Sequence, residues 1–287
     1  MLRLFVFLFF ASLALATPPV ARTREDIESF RNFLETKNIF LDFARTLTNE
    51  LNKFYASGKY EGDILLDDFM VDDIISSYAV GRNACIWPNT KWPNNTVVWD
   101  FADGYFGELL ILIKIQEIED RTCVRFRRRT EGETIFVNVE GNPSGCFANV
   151  GYYGPRGVHT YNLAPNRTGL GCFHHTTIIH EFLHIIGFHH MQSTYNRDNY
   201  VKVMWENIQA GTENNFQIYG RDMVSNLGLP YEYISCMHYL DTGFSNNGLP
   251  TLVALQEFEG VMGQQEFVTD MDYLRVNRHY LCPGAWD

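Results

Sequence analysis

Positive charge is scarce in this chain: 23 Lys and Arg stand against 34 Asp and Glu, a net charge of -11. That balance argues against a nucleic-acid backbone or an anionic membrane face as a partner. The basic stretch Arg125–Arg129 reads as a strand end with solvated side chains. Long apolar runs are also missing, with one exception. Leu4 to Leu15 is apolar apart from Ser12, follows Arg3, and leads into Ala14-Leu15-Ala16. A run this short, ending in small residues, predicts a secretory signal over residues 1–16 and not a membrane span. A secreted, extracellular protein is therefore expected. Repeats and low-complexity segments are absent, as are the closely paired cysteines of structural zinc sites. The six cysteines suit disulfides in an oxidising compartment, and six allow fifteen pairings. Asn94-Asn95-Thr96 and Asn166-Arg167-Thr168 add acceptor sites for N-glycosylation at Asn94 and Asn166.

From Thr23 to about Tyr55, apolar residues recur at threes and fours, which predicts helix, with Thr23 and Asp26 as a capping pair. An irregular acidic stretch follows, then Val80-Gly81-Arg82-Asn83. Cleavage by an activating protease near Arg82 would divide a helical pro-segment, residues 17–82, from a peptidase domain, residues 83–287. Strands are expected at 96–101, 123–127, 135–140 and 158–163. A helix is expected over about 105–122, with Leu109, Leu110, Leu112, Ile113 and Ile118 as its buried face. Further helices are expected at 176–188 and 269–281, the last capped by Thr269 and Asp272.

Residues 180–190 carry the chemistry. They read His-Glu-Phe-Leu-His-Ile-Ile-Gly-Phe-His-His. Four residues on a helix make one turn, so His180 and His184 point two imidazoles at a common ion. Gly187 accepts the left-handed backbone that ends a helix, and the chain can turn back to bring His190 in as a third ligand. Three protein ligands leave a position open on Zn2+, the arrangement of a catalytic site. Glu181 lies beside the first ligand, where it can serve as general base to a water at the ion. His159, His174, His175, His189 and His279 have no such spacing and read as ordinary residues.

These motifs resemble the astacin-type zinc metalloendopeptidases, a branch of the metzincins. The core His180-Glu181-x-x-His184-x-x-Gly187-Phe188-x-His190 is followed by Arg197-Asp198-Asn199-Tyr200-Val201 and by Ser235-x-Met237-His238-Tyr239. The resemblance implies an α+β, two-subdomain catalytic unit: a twisted sheet with a long active-site helix above, and an irregular C-terminal half below. It implies one Zn2+ per chain, Met237 in a Met-turn beneath the metal, and Tyr239 as a mobile ligand that stabilises the oxyanion. Tyr60-Glu61-Gly62-Asp63 is similar to the family's latency motif, in which Asp63 would take the place of the attacking water. The family's disulfides would fall on Cys123–Cys282 and Cys146–Cys172, and an edge strand at 158–163 would pair with extended substrate. Such an enzyme acts on protein or peptide substrates.

The chain departs from the pattern in places. Met191 stands where the family has Glu, and Thr194 replaces a basic residue. Cys85 and Cys236 are additional, and a Cys85–Cys236 bridge would replace the anchor that Met191 cannot supply. No Lys or Arg occurs between His238 and Arg275. A weak preference for acid just after the cut is expected, with an apolar pocket near Leu255. The departures leave room for a second reading, a catalytically silent relative that binds extracellular protein partners.

Overall fold

Thr-Val-Val-Trp-Asp-Phe, residues Thr96–Phe101, forms the first strand, β1. Val97 and Trp99 point inward, as alternation on a pleated strand requires. The computed structural model describes residues 28–29, 31–32, 59–67, 70–72, 90–105, 107–221 and 224–287. Strand β1 pairs in parallel with β2 (Arg125–Arg128) and β3 (Phe136–Glu140), so the chain must cross over between them. Helix α1, Glu108–Arg121, makes the first crossover. Strand β5, Val158–Leu163, continues the sheet in parallel, and β4, Cys146–Ala148, closes it antiparallel, giving the order β2-β1-β3-β5-β4.

Two expectations are corrected here. Strand β5 is interior, between β3 and β4, so it cannot accept an added strand; the edge on that side of the sheet is β4, against which residues 63–65 lie. A strand of three residues, all buried, gave no alternation to reveal β4 in the sequence. The buried face of α1 also differs. Ile111, Ile115 and Ile118 are buried, whereas Leu109, Leu112 and Ile113 are 73%, 43% and 49% exposed. The unbroken apolar run from Leu109 to Ile113 fits either face, and the sheet selects the one carrying Ile111. Lys114 lies on that face, its stem covered and its ammonium 3.0 Å from Glu117.

Helix α2, His175–Ile185, lies in the core with ten of its residues buried. Tyr161 stacks on Phe182 with centroids 4.4 Å apart, and its hydroxyl donates to the Ile178 carbonyl at 2.9 Å. Below α2 the chain is mostly irregular. A short antiparallel pair, β6 (Val201–Val203) and β7 (Leu252–Ala254), supports a second core cluster that includes Phe216, Tyr231, Tyr233 and Tyr239. Helix α3, Asp270–His279, starts from a capping box formed by Thr269 and Asp272. Cys123–Cys282 ties the segment after α3 to the start of β2, and Cys146–Cys172 ties β4 to the turn before α2. Among the described residues, no helix is long and apolar enough to cross a membrane.

Four buried histidines weaken this fold in acid. Burial pushes His159 and His189 down to about 3, and His238 and His279 to about 4. Between those values and the ordinary 6.5, the unfolded chain binds protons that the folded chain refuses, so stability falls as pH falls. Each group contributes up to about 1.4 kcal/mol per pH unit. Denaturant titrations at pH 7, 6 and 5 should show a steadily decreasing midpoint. A flat midpoint over that range would contradict the burial of these rings.

Candidate active site

The metal-facing geometry begins with how α2 ends. Gly187 N–H donates to the His184 carbonyl at 2.8 Å, and Phe188 N–H to Leu183 at 3.0 Å, the paired bonds of a Schellman turn. Gly187 has φ of 105°, and a Cβ there would lie 2.8 Å from Thr90 Oγ1. Glycine is therefore required on two counts. Past this turn the chain reverses and delivers His190 against the helix.

Each ring is fixed through Nδ1. His180 Nδ1 is 2.7 Å from the Cys236 carbonyl, His184 Nδ1 is 2.7 Å from the Phe188 carbonyl, and His190 Nδ1 is 2.7 Å from Glu61 Oε2. Those acceptors call for a proton on Nδ1, which turns each Nε2 toward the centre as a lone-pair donor. The three Nε2 atoms lie 3.1, 3.4 and 3.2 Å from the Asp63 carboxylate. Ligand atoms of Asp63, His180, His184 and His190 all fall within 4.8 Å of one another, and all four residues are buried. His184 Nε2 and Asp63 Oδ1 make no hydrogen bond. Three nitrogen lone pairs and a carboxylate oxygen converging on one dry point fit a single zinc ion.

Electrostatics agree with a site built for a cation. Burial would raise the Asp63 carboxyl, but the surrounding His190, His184 and His180 rings outweigh that and hold it well below the carboxylate range. Burial opposes charge on His190, yet the Asp63 and Glu61 carboxylates outweigh that and raise it to about 9. Burial takes His184 down to about 4. Burial, and then the neighbouring Asp63 charge, push Glu181 well above its ordinary value, and neither Glu181 oxygen has a hydrogen-bond partner.

Asp63 arrives on an extended segment that lies on the free edge of β4. Ala148 N–H donates to the Asp63 carbonyl and Leu65 N–H to the Ala148 carbonyl, both at 2.9 Å. The turn that aims Asp63 inward places Glu61 at φ of 49° and Gly62 at 93°. Glu61, to which the sequence assigned no role, is fully buried. Besides His190, its carboxylate accepts from Ser193 Oγ at 3.2 Å and Tyr219 hydroxyl at 2.5 Å. Its place two residues before Asp63 was the one available signal. The Tyr239 hydroxyl donates to the Glu61 carbonyl at 2.6 Å.

The floor of the site is the turn through Met237, which is buried. Asp272 fixes this turn from α3: its carboxylate accepts from Ser235 Oγ at 2.6 Å and from Cys236 N–H at 3.1 Å. The Cys236 carbonyl holding His180 is thereby set by a residue 36 positions further along the chain.

The family model for Astacin, a peptidase family, matches residues 85–281. This chain belongs to the astacin family. Zinc metalloproteinase nas-4 of Caenorhabditis elegans is 33% identical over 234 residues, covering 79% of this chain and 71% of that relative. Meprin A subunit beta of Homo sapiens is 35% identical over 239 residues, covering 82% of this chain but 31% of that relative. The solved structure of high choriolytic enzyme 1, a hatching enzyme zinc-protease from Oryzias latipes, matches with a TM-score of 0.57 at 31% identity. That match covers 67% of this chain and 93% of the other.

As an astacin, the chain keeps the three-histidine zinc site together with a carboxylate. Several expected features lie at its margins. Met191 is half-buried against the lower cluster, and its N–H donates to the Met237 carbonyl at 2.8 Å. Thr194 is buried, with its hydroxyl 2.9 Å from Asn196 Oδ1 and 3.0 Å from Asn226 Oδ1. Cys236 is buried and outside any disulfide among the described residues. Cys85, Arg82 and Asn83 lie outside those residues, as does the expected 23–55 helix apart from Glu28, Ser29, Arg31 and Asn32, which are helical. Asn94 is exposed, whereas Asn166 is half-buried with its amide donating to the Ala164 carbonyl at 3.2 Å. Leu255 is 52% exposed beside β7.

Proposed function

We propose that this chain is a secreted zinc endopeptidase made as a latent precursor, with residues 17–82 as its pro-segment and 83–287 as its peptidase unit. The observation that carries the reading is the Asp63 carboxylate set among three histidine Nε2 atoms by a segment docked on the edge of β4. Zinc bound to His180, His184 and His190 would polarise the scissile carbonyl and lower the pKa of water beside it. Release of the segment vacates the edge of β4, where an extended peptide can pair by backbone hydrogen bonds. It also takes the Asp63 charge away from Glu181, removing one of the two causes that favour its protonated form, and a cation held at the site would favour the carboxylate. Glu181 then accepts the proton of the attacking water and passes it to the leaving amine nitrogen. Tyr239, whose hydroxyl donates to a backbone carbonyl in the latent chain, donates to the substrate oxygen as negative charge develops there. The absence of Lys and Arg from 239 to 274 supports a weak preference for acid just after the cut.

The test is cleavage of a generic unfolded protein by the full chain after limited proteolytic activation. A chelator should abolish cleavage and stoichiometric zinc should restore it. Activity that persists in the chelator, or never appears after activation, would sink the reading.

A further inference from the structure

The docked segment makes one more charged contact with the peptidase unit. Asp67, four residues beyond Asp63, places Oδ2 at 2.6 Å from Arg156 Nε. The Arg156 side chain is 7% exposed in this arrangement, and among the described residues of the pro-segment it meets that carboxylate and the Met70 sulfur at 3.4 Å. Its other contacts among the described residues belong to the peptidase unit. Nη1 donates to the Gly151 carbonyl at 3.2 Å, and the guanidinium lies 5.8 Å from the Tyr153 ring centroid. Arg156 is anchored at the end of the short turn Gly154–Arg156, just before β5. When the segment leaves, the guanidinium keeps its supports and loses its counter-charge. A pre-oriented cationic fork then faces the channel in which an extended chain has been lying.

We infer that Arg156 is a specificity-determining residue that binds an acidic side chain of the substrate, three or four residues before the scissile bond. This deepens the endopeptidase reading and rests on it. The position follows from strand direction. The docked segment runs parallel to β4: Ile64 bridges Ala148, and Asn149 Nδ2 donates to the Leu65 carbonyl at 2.8 Å. Moving from the metal site along the direction of β4 therefore leads toward Arg156. A substrate pairing antiparallel, the more stable geometry, runs the other way. It passes Arg156 first and reaches the metal site afterwards, so the residues near Arg156 precede the cut. Asp67 marks the distance, four extended residues or roughly 13 Å from Asp63. The cation-free stretch after Tyr239 leaves the opposite side of the cut without a comparable partner. Charge selection thus moves to the side that approaches the cut.

The experiment uses the full chain, activated by limited proteolysis, and peptides identical except for Asp, Asn or Lys at the fourth residue before the cut. In the wild type, kcat/KM should favour Asp over Asn by about tenfold at low salt, as for a charge-assisted hydrogen bond. Arg156→Ala should bring that ratio close to one. Arg156→Glu should reverse it, favouring Lys. Binding of the same peptides to chelator-stripped activated chain, followed by fluorescence anisotropy, should give the same order with no bond cleaved. An Asp-to-Asn ratio unchanged by Arg156→Ala in both measurements overturns the inference. Ordered binding without cleavage by the zinc-loaded wild type would instead overturn the endopeptidase reading and leave the Arg156 site standing.

Discussion

Glu181→Ala should leave zinc in place and lower kcat by about two to four orders of magnitude, the usual contribution of a positioned general base. The two halves of this expectation have separate structural grounds. None of the three rings is held by Glu181: each Nδ1 has its own acceptor, at Cys236, Phe188 and Glu61. Zinc affinity therefore has no direct dependence on the carboxylate. Catalysis does, because Glu181 is a buried carboxyl beside the metal site with neither oxygen engaged by a protein donor. Burying a carboxyl without hydrogen bonds costs stability, so the alanine variant should also melt no lower than the wild type. Metal content after gel filtration, kcat on a peptide and a melting curve read the three effects together. A variant that loses zinc would make Glu181 structural. One that keeps both zinc and activity would place the base elsewhere.

How much of this was legible depends on the range of the physics involved. The His180/His184 pair follows from one helical turn, and Gly187 from the backbone sign needed to end it; both are local and both were readable. The Thr269–Asp272 cap was readable for the same reason. What the sequence could not supply were pairings across long separations. The run Leu109–Ile113 offers apolar residues on every side of a helix, and only the sheet decides that Ile111 turns inward. Strand β4 is three residues long and is defined by its neighbour, not by its own pattern. Glu61 acquires meaning only through His190, 129 positions away, and Arg156 only through Asp67, 89 positions away. Asp272 was visible as a cap, but its grip on Ser235 and Cys236 was not. One carboxylate there both starts a helix and steadies the floor of the metal site.

Asp63→Ala should break latency while the chain stays uncleaved. The measurement needs Arg82→Ala as background, so that processing does not confuse the result. In the wild type, the Asp63 carboxylate is fully buried and balanced by the charge of the site, and removing one member of such a set costs about 3–5 kcal/mol. The docked state of the segment should weaken by a comparable amount, raising the open fraction by roughly a hundredfold or more. Docking will not vanish, because the other contacts remain: Glu61 to His190 and Tyr219, the backbone bonds of residues 63–65 to Ala148, and Asp67 to Arg156. The uncleaved double variant should therefore cleave a small peptide well above the Arg82→Ala control, yet below the activated enzyme. Adding Glu61→Gln should raise it again, since the neutral amide pairs more weakly with His190. Small peptides should gain more than folded proteins, because the segment still lies along part of β4. If the uncleaved Asp63→Ala chain stays as silent as its control while the activated wild type is active, steric cover by the segment, and not the carboxylate at the metal site, is what keeps the precursor latent.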